Sequence, residues 1–113
     1  MSRKKIYLGK DNRIKWHLQE GGSAVDLTGI TKFVVEVAGE TIEVTSAEKV
    51  EFGPIYWTTG TPETDVANLF LNLGEPLETA EVTAGYYDLR LIAYDADHDD
   101  GFVWCQEPVQ IIA

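Results

Sequence analysis

The sequence predicts an all-β domain, on three observations. From Gly85 to Tyr94 the residues alternate, with Tyr87, Leu89, Leu91 and Ala93 on one face and Tyr86, Asp88, Arg90, Ile92 and Tyr94 on the other. That is the period of a strand. Similar runs recur along the chain, separated by turn signals every eight to twelve residues or so. The one segment with helical character, Glu75 to Thr83, has room for one helical turn, with Pro76 and the β-branched Thr79, Val82 and Thr83 counting against it.

Taken in order, the first amphipathic run is Arg13 to Gln19, where Ile14, Trp16 and Leu18 face one way and Arg13, Lys15, His17 and Gln19 the other. Glu20-Gly21-Gly22-Ser23 reads as a turn, and Ala24 to Gly29 as a short extended piece ending in a second turn. Lys32 to Val37 and Thr41 to Thr45, around Gly39-Glu40, read as a hairpin. Between Ser46 and Asp65, Gly53-Pro54 and Gly60-Thr61-Pro62 fit either an edge strand or a long surface loop. Alternation resumes from Val66 to Leu73, with Leu69, Leu71 and Leu73 on one face and Asn68, Phe70 and Asn72 on the other. After the central strand, the acidic stretch from Asp95 to Gly101 reads as a hairpin loop. It returns the chain into a last strand, Phe102 to Gln106, which continues past Pro108 to Ile112.

Seven or eight short antiparallel strands of this kind pack most economically as a sandwich, with a small barrel as the alternative. Gly85 followed by Tyr87 and then Leu89 also has the spacing of a tyrosine corner, in which a phenol bonds back to the preceding backbone. The expected architecture is therefore an immunoglobulin-like β-sandwich over residues 1–113, with Gly85 and Tyr87 in structural roles.

Composition bounds the function. Hydrophobic residues make up 44% and charged residues 25% of the 113, a globular mixture. No apolar run approaches the roughly 18–20 residues of a membrane span. The basic residues after Met1 lead into no apolar stretch, so no secretory signal is expected and synthesis in the cytoplasm is. A net charge of −10 argues against nucleic acid as a partner. The charge is also lopsided: the first fifteen residues carry +5, and the remainder −15. Arg3, Lys4, Lys5 and Lys10 can pair with acidic neighbours in the same fold. They can also dock on the acidic surface of another copy, in a ring or a stack.

Constellations for chemistry are few. His17 and His98 read as solvated side chains, no serine sits in a nucleophile elbow, and no glycine-rich loop leads from a strand into a helix. Cys105 excludes an internal disulfide and reads as a small strand residue. The chain is expected to be a non-enzyme. Asp95, Asp97, Asp99 and Asp100 are the strongest metal candidates, since clustered carboxylates suit Ca²⁺. They fail the EF-hand pattern, whose sixth position holds Asp100 instead of Gly and whose twelfth holds Gln106 instead of Glu. No other cofactor is implied. Tyr56, Trp57, Tyr86, Tyr94 and Trp104 would suit a sugar-stacking platform, or else core packing. A carbohydrate- or calcium-binding module is thus the alternative function.

The strand through Ile14, Trp16 and Leu18, the Gly21-Gly22 turn, the segment Val25-Asp26-Leu27-Thr28-Gly29 and the strand through Phe33, Val35 and Val37 resemble the opening of the immunoglobulin-like domains of tailed-phage baseplate and tail proteins. Ala84 to Leu91 and the aspartate-rich hairpin are similar in style. The resemblance implies a structural or attachment protein of a phage or prophage virion, made in the bacterial cytoplasm. Its partners would be other virion proteins or further copies of itself, and no catalytic residue carries over.

Overall fold

The computed structural model describes residues 4–11, 13–20, 23–24, 26–59 and 67–113, with backbone alone at 19, 20, 23 and 24. Among these the chain forms β1 (Lys4–Tyr7), β2 (Arg13–Trp16), β3 (Gln19–Glu20), β4 (Ser23–Ala24), β5 (Lys32–Val37), β6 (Glu40–Thr45), β7 (Ile55–Trp57), β8 (Leu69–Asn72), α1 (Gly74–Thr79), β9 (Gly85–Asp95) and β10 (His98–Ile112). The chain is all-β, with α1 as its one short helix among the described residues.

A five-stranded sheet has the order β1-β10-β9-β5-β6 and a three-stranded sheet the order β2-β8-β7, with β3 and β4 forming a separate small hairpin. The expected antiparallel arrangement needs one correction, because β1 runs parallel to β10 and makes the larger sheet mixed. The cause is connectivity: β1 and β2 are joined by a short turn yet belong to different sheets, so β1 reaches β10 directly and not as half of a hairpin.

The alternation seen in the sequence aims the core correctly. Ile14, Trp16 and Leu18 from the β2 region, Phe33, Val35 and Val37 from β5, and Leu89, Leu91 and Ala93 from β9 converge on one buried cluster with Ile55, Trp57, Leu69 and Leu71. Phe33 and Trp57 meet edge to face, with ring centroids 4.9 Å apart, a preferred aromatic geometry. Burying any one of these large side chains is worth about 1.5–3 kcal/mol.

Turn chemistry sets the boundaries. Ala38 and Gly39 both take positive φ, at 54° and 78°, as a two-residue hairpin turn with the right-handed twist of its strands requires. The turn expected at the end of the Ala24 to Gly29 segment is present at Thr28 and Gly29, where the Asp26 carboxylate accepts from the Thr28 N–H at 2.9 Å and so closes the chain on itself. At Gly74 a side chain is excluded by the backbone carbonyls of Tyr7 and Lys10, which lets α1 pack against the β1–β2 turn. The segment from Ser46 to Asp65 contains β7, while residues 60–66 lie outside the described residues.

The start of β9 is pinned from its own upstream turn. The Tyr87 hydroxyl donates to the Thr83 carbonyl at 2.9 Å, so the ring folds back over Gly85. A Cβ added at Gly85 would meet that ring at 3.4–3.6 Å, which is ordinary contact. Tyr87 is therefore the residue that secures the corner.

Candidate interaction surface

The two charged regions singled out in the sequence lie far apart on one strand. β1 pairs with the C-terminal part of β10, Lys4 opposite Val109 and Lys5 opposite Gln110. The aspartate hairpin lies at the other end of β10, beside His98. From His98 to Val109 is roughly 30 Å at about 3.3 Å per residue with allowance for bulges, against a longest molecular dimension of 36 Å. Lys5 and Lys10 are exposed. The Lys4 ammonium sits 5.7 Å from the Trp16 ring. Arg3 lies outside the described residues.

The hairpin tip is tighter than a loop from Asp95 to Gly101. β9 runs to Asp95 and β10 begins at His98, leaving Ala96-Asp97 as the turn. The Asp95 carboxylate causes this, since its Oδ1 accepts from the Asp97 N–H at 3.0 Å and lies 2.8 Å from His98 Nδ1. The hydrogen bond from His98 holds the Asp95 carboxyl below its ordinary pKa, with the Asp97 N–H adding to the effect. Asp97, Asp99 and Asp100 are exposed. Among the described residues no three His, Cys, Asp or Glu side chains group closely enough to hold a metal ion; Asp95 is turned inward to the tip while Asp99 and Asp100 continue along β10.

The five aromatic residues do not share a platform. Trp57 has no exposed surface, which removes it from any sugar-stacking role and assigns it to the core. Tyr56 lies on the outer face of the three-stranded sheet, 6.1 Å from Phe70. Tyr86 and Tyr94 belong to the other sheet, and Trp104 packs against Phe102 at 5.6 Å. Cys105 is half-buried, and its thiol is pushed up to about 11 by burial and by the charge of Glu107. A thiol of that kind stays protonated and unreactive at neutral pH.

The structure also assembles a surface that strand alternation assigned only to a polar face. On the outer side of the three-stranded sheet, the Arg13 guanidinium lies 4.5 Å from the Phe52 ring and 4.4 Å from the Phe70 ring. Along the edge strand β7, Lys49 lies 4.8 Å from the Trp57 ring and 5.5 Å from the Tyr56 ring, and its Nζ donates to the Trp57 carbonyl at 2.7 Å. Partial burial lowers the Lys49 pKa. The signal for this surface was Phe70 itself, a large apolar side chain on the polar side of an alternating run.

Two asparagines in the same row are buried, against expectation. Asn68 is fully buried: its Oδ1 accepts from the Leu18 N–H at 2.7 Å and its Nδ2 donates to the Leu18 carbonyl at 3.4 Å. The side chain thus extends β2 beyond its last backbone pair. Asn72 Nδ2 donates to the Phe52 carbonyl at 3.1 Å and to Asp11 Oδ1 at 3.2 Å. Shallow hollows of about 260 Å³ near Phe52 and Asn72 and about 300 Å³ near Glu36 and Arg90 fall at or below the lower end of small-molecule sites. No protein-family model, curated protein or solved structure matches the chain.

Proposed function

We propose that this chain is a non-enzymatic structural or assembly module of a phage or prophage virion, an immunoglobulin-like sandwich acting through repeated protein–protein contact. The observation that carries the assembly reading is the charge polarity of β10. Its acidic tip and the basic strand β1 lie at opposite ends, so their attraction is available between copies and not within one. A contact between unlike patches is heterologous and either closes a ring or extends as a stack.

Strand order supports the finer fold. β2, β8 and β7 occupy the places of strands B, E and D, while β5, β9 and β10 occupy those of C, F and G, with β6 added at the edge. The Tyr87 bond to the Thr83 carbonyl near the start of β9 supports it too. The virion setting rests on the likeness of Asp26-Leu27-Thr28-Gly29 and Ala84 to Leu91 to phage baseplate and tail domains. On that reading the protein is made in the bacterial cytoplasm, ends in the particle, and meets other virion proteins or itself.

Absolute mass by light scattering after size exclusion tests the assembly reading. A discrete oligomer that dissociates at high salt, and when Arg3, Lys4, Lys5 and Lys10 are replaced by Ser, is the expected result, because screening weakens exposed ion pairs. A monomer of 12.6 kDa at both salts, with a thermal shift on Ca²⁺ or glycan, would overturn it in favour of a ligand-binding module.

A further inference from the structure

We infer that the outer face of the three-stranded sheet, centred on Arg13, is the docking surface for the aspartate hairpin tip of a second copy of this chain. The inference rests on the assembly reading above and adds Arg13 and Lys15, which lie at the same end of the molecule as the end of β1, to the basic surface that receives the acidic tip. Phe52 and Phe70 both lie within 4.5 Å of the Arg13 guanidinium. Rings stacked on a planar guanidinium leave the N–H donors at its rim for a carboxylate. Among the described residues no carboxylate pairs with Arg13, whereas Arg90 and Lys32 have Glu36 and Glu43. Lys15 is exposed and stands opposite Phe70 across the β2–β8 register, placing a second cation beside the first. Arginine among aromatic rings is the composition of interface hot spots.

The backbone gives an independent observation. Phe52 takes a φ of 69°, a region that bulky residues rarely occupy. It is held there by the bond from Asn72, a buried side chain, to its carbonyl. Phe52 nevertheless stays largely exposed, at 62%. The strain therefore serves to hold an exposed ring against Arg13 and does nothing to fill the core. Strain of this kind is concentrated at functional positions.

Asp11 and Glu75 line the hollow on the Phe52–Asn72 side of this face, so a carboxylate is received on the opposite side of Arg13, toward Lys15 and Phe70, and there charge complementarity identifies the occupant. Asp97, Asp99 and Asp100 are exposed at the hairpin, with no cationic partner among the described residues. Guanidinium and carboxylate pair in a two-pronged, charge-assisted geometry. The two surfaces of one molecule cannot meet. Arg13 pairs with Asn72 next to α1, whose Gly74 carbonyl accepts from Gly9 beyond the end of β1, so Arg13 lies at the end of the molecule opposite the tip.

The test compares molar mass by light scattering at about 0.05 M and about 1 M salt, where the screening length falls to roughly 3 Å. It uses the wild type, Arg13→Glu/Lys15→Glu, and Asp97→Lys/Asp99→Lys. Wild type should assemble at low salt and dissociate at high salt. Each charge-reversed variant should stay monomeric, and an equimolar mixture of the two should recover a complex. Phe52→Gly guards against misfolding as the explanation: relief of the positive φ offsets the loss of one ring contact to Arg13, so assembly should weaken while the melting temperature changes little. Assembly that survives Arg13→Glu/Lys15→Glu but is lost when Lys4, Lys5 and Lys10 become Ser would overturn this inference and leave the assembly reading intact. A wild-type monomer at both salts would overturn both, as would association only with a different acidic protein in the case of the second-copy occupant.

Discussion

The outer faces of the two sheets handle positive charge in different ways. On the five-stranded sheet, Lys32 lies 2.7 Å from Glu43 and Arg90 lies 3.4 Å from Glu36, so each cation already has a carboxylate from a neighbouring strand. On the outer face of the three-stranded sheet, the Arg13 guanidinium rests on the Phe52 and Phe70 rings. A ring attracts a cation without neutralising it, so the second face keeps its charge for a partner. Lys32 also lies 4.1 Å from the Tyr94 ring, so what separates the two faces is the paired carboxylate and not the ring: cations of equal charge differ in what they can still bind according to whether an acid already pairs with them.

The largest effect should come from the buried polar row beneath the three-stranded face. Asn68→Ala leaves the Leu18 N–H and C=O without their partner in a buried position, and should cost about 1–3 kcal/mol in chemical denaturation. A loss below a few tenths would mean that water replaces the side chain. Next comes Arg13→Ala, which removes two ring contacts and the packing of the side-chain stem, at about 1–2 kcal/mol. Arg90→Ala is the matched control on the other face. Both partners of its ion pair are about half exposed, so the loss should stay below about 1 kcal/mol. Arg90→Ala costing more than Arg13→Ala would break the comparison.

The smallest effect lies at the hairpin tip. His98 holds the Asp95 carboxyl below its ordinary value of 3.8. A depressed carboxyl contributes stability that is present above its unfolded pKa and lost as pH falls through the folded value. The tip should therefore lose its anchor only on acidification below 3.8. His98→Ala should raise the Asp95 midpoint toward 3.8, measured by carboxyl carbon NMR titration. An unchanged midpoint would show that the backbone N–H of Asp97 carries the shift.

Much of the fold was legible in the residues. The inward faces of β2, β5, β8 and β9 follow from alternation, because a strand that is half buried must place apolar groups at every second position. The β5–β6 hairpin follows from its Gly-containing turn. The mixed sheet was not legible, since pairing of β1 with β10 joins residues about a hundred positions apart and leaves no local pattern. Nor was the early start of β10, which depends on which group the Asp95 carboxylate accepts from.

The candidate site was less legible than the fold. The basic start and the aspartate hairpin are plain in sequence, but their placement at opposite ends of one strand is not. Phe52-Gly53-Pro54 lies in a stretch that reads as either an edge strand or a long surface loop, and only the folded chain brings the Phe52 ring and the Phe70 ring from β8 against Arg13 of β2.

By itself, the sequence determined the β-rich class, the core positions and the separation of positive from negative charge along the chain. Those properties depend on local periodicity and composition. The tertiary structure decided which cations gain a carboxylate partner, that Asn68 completes a backbone edge, and that Trp57 is core. Each of these depends on long-range pairing, where a single partner distant in sequence sets the environment of a side chain.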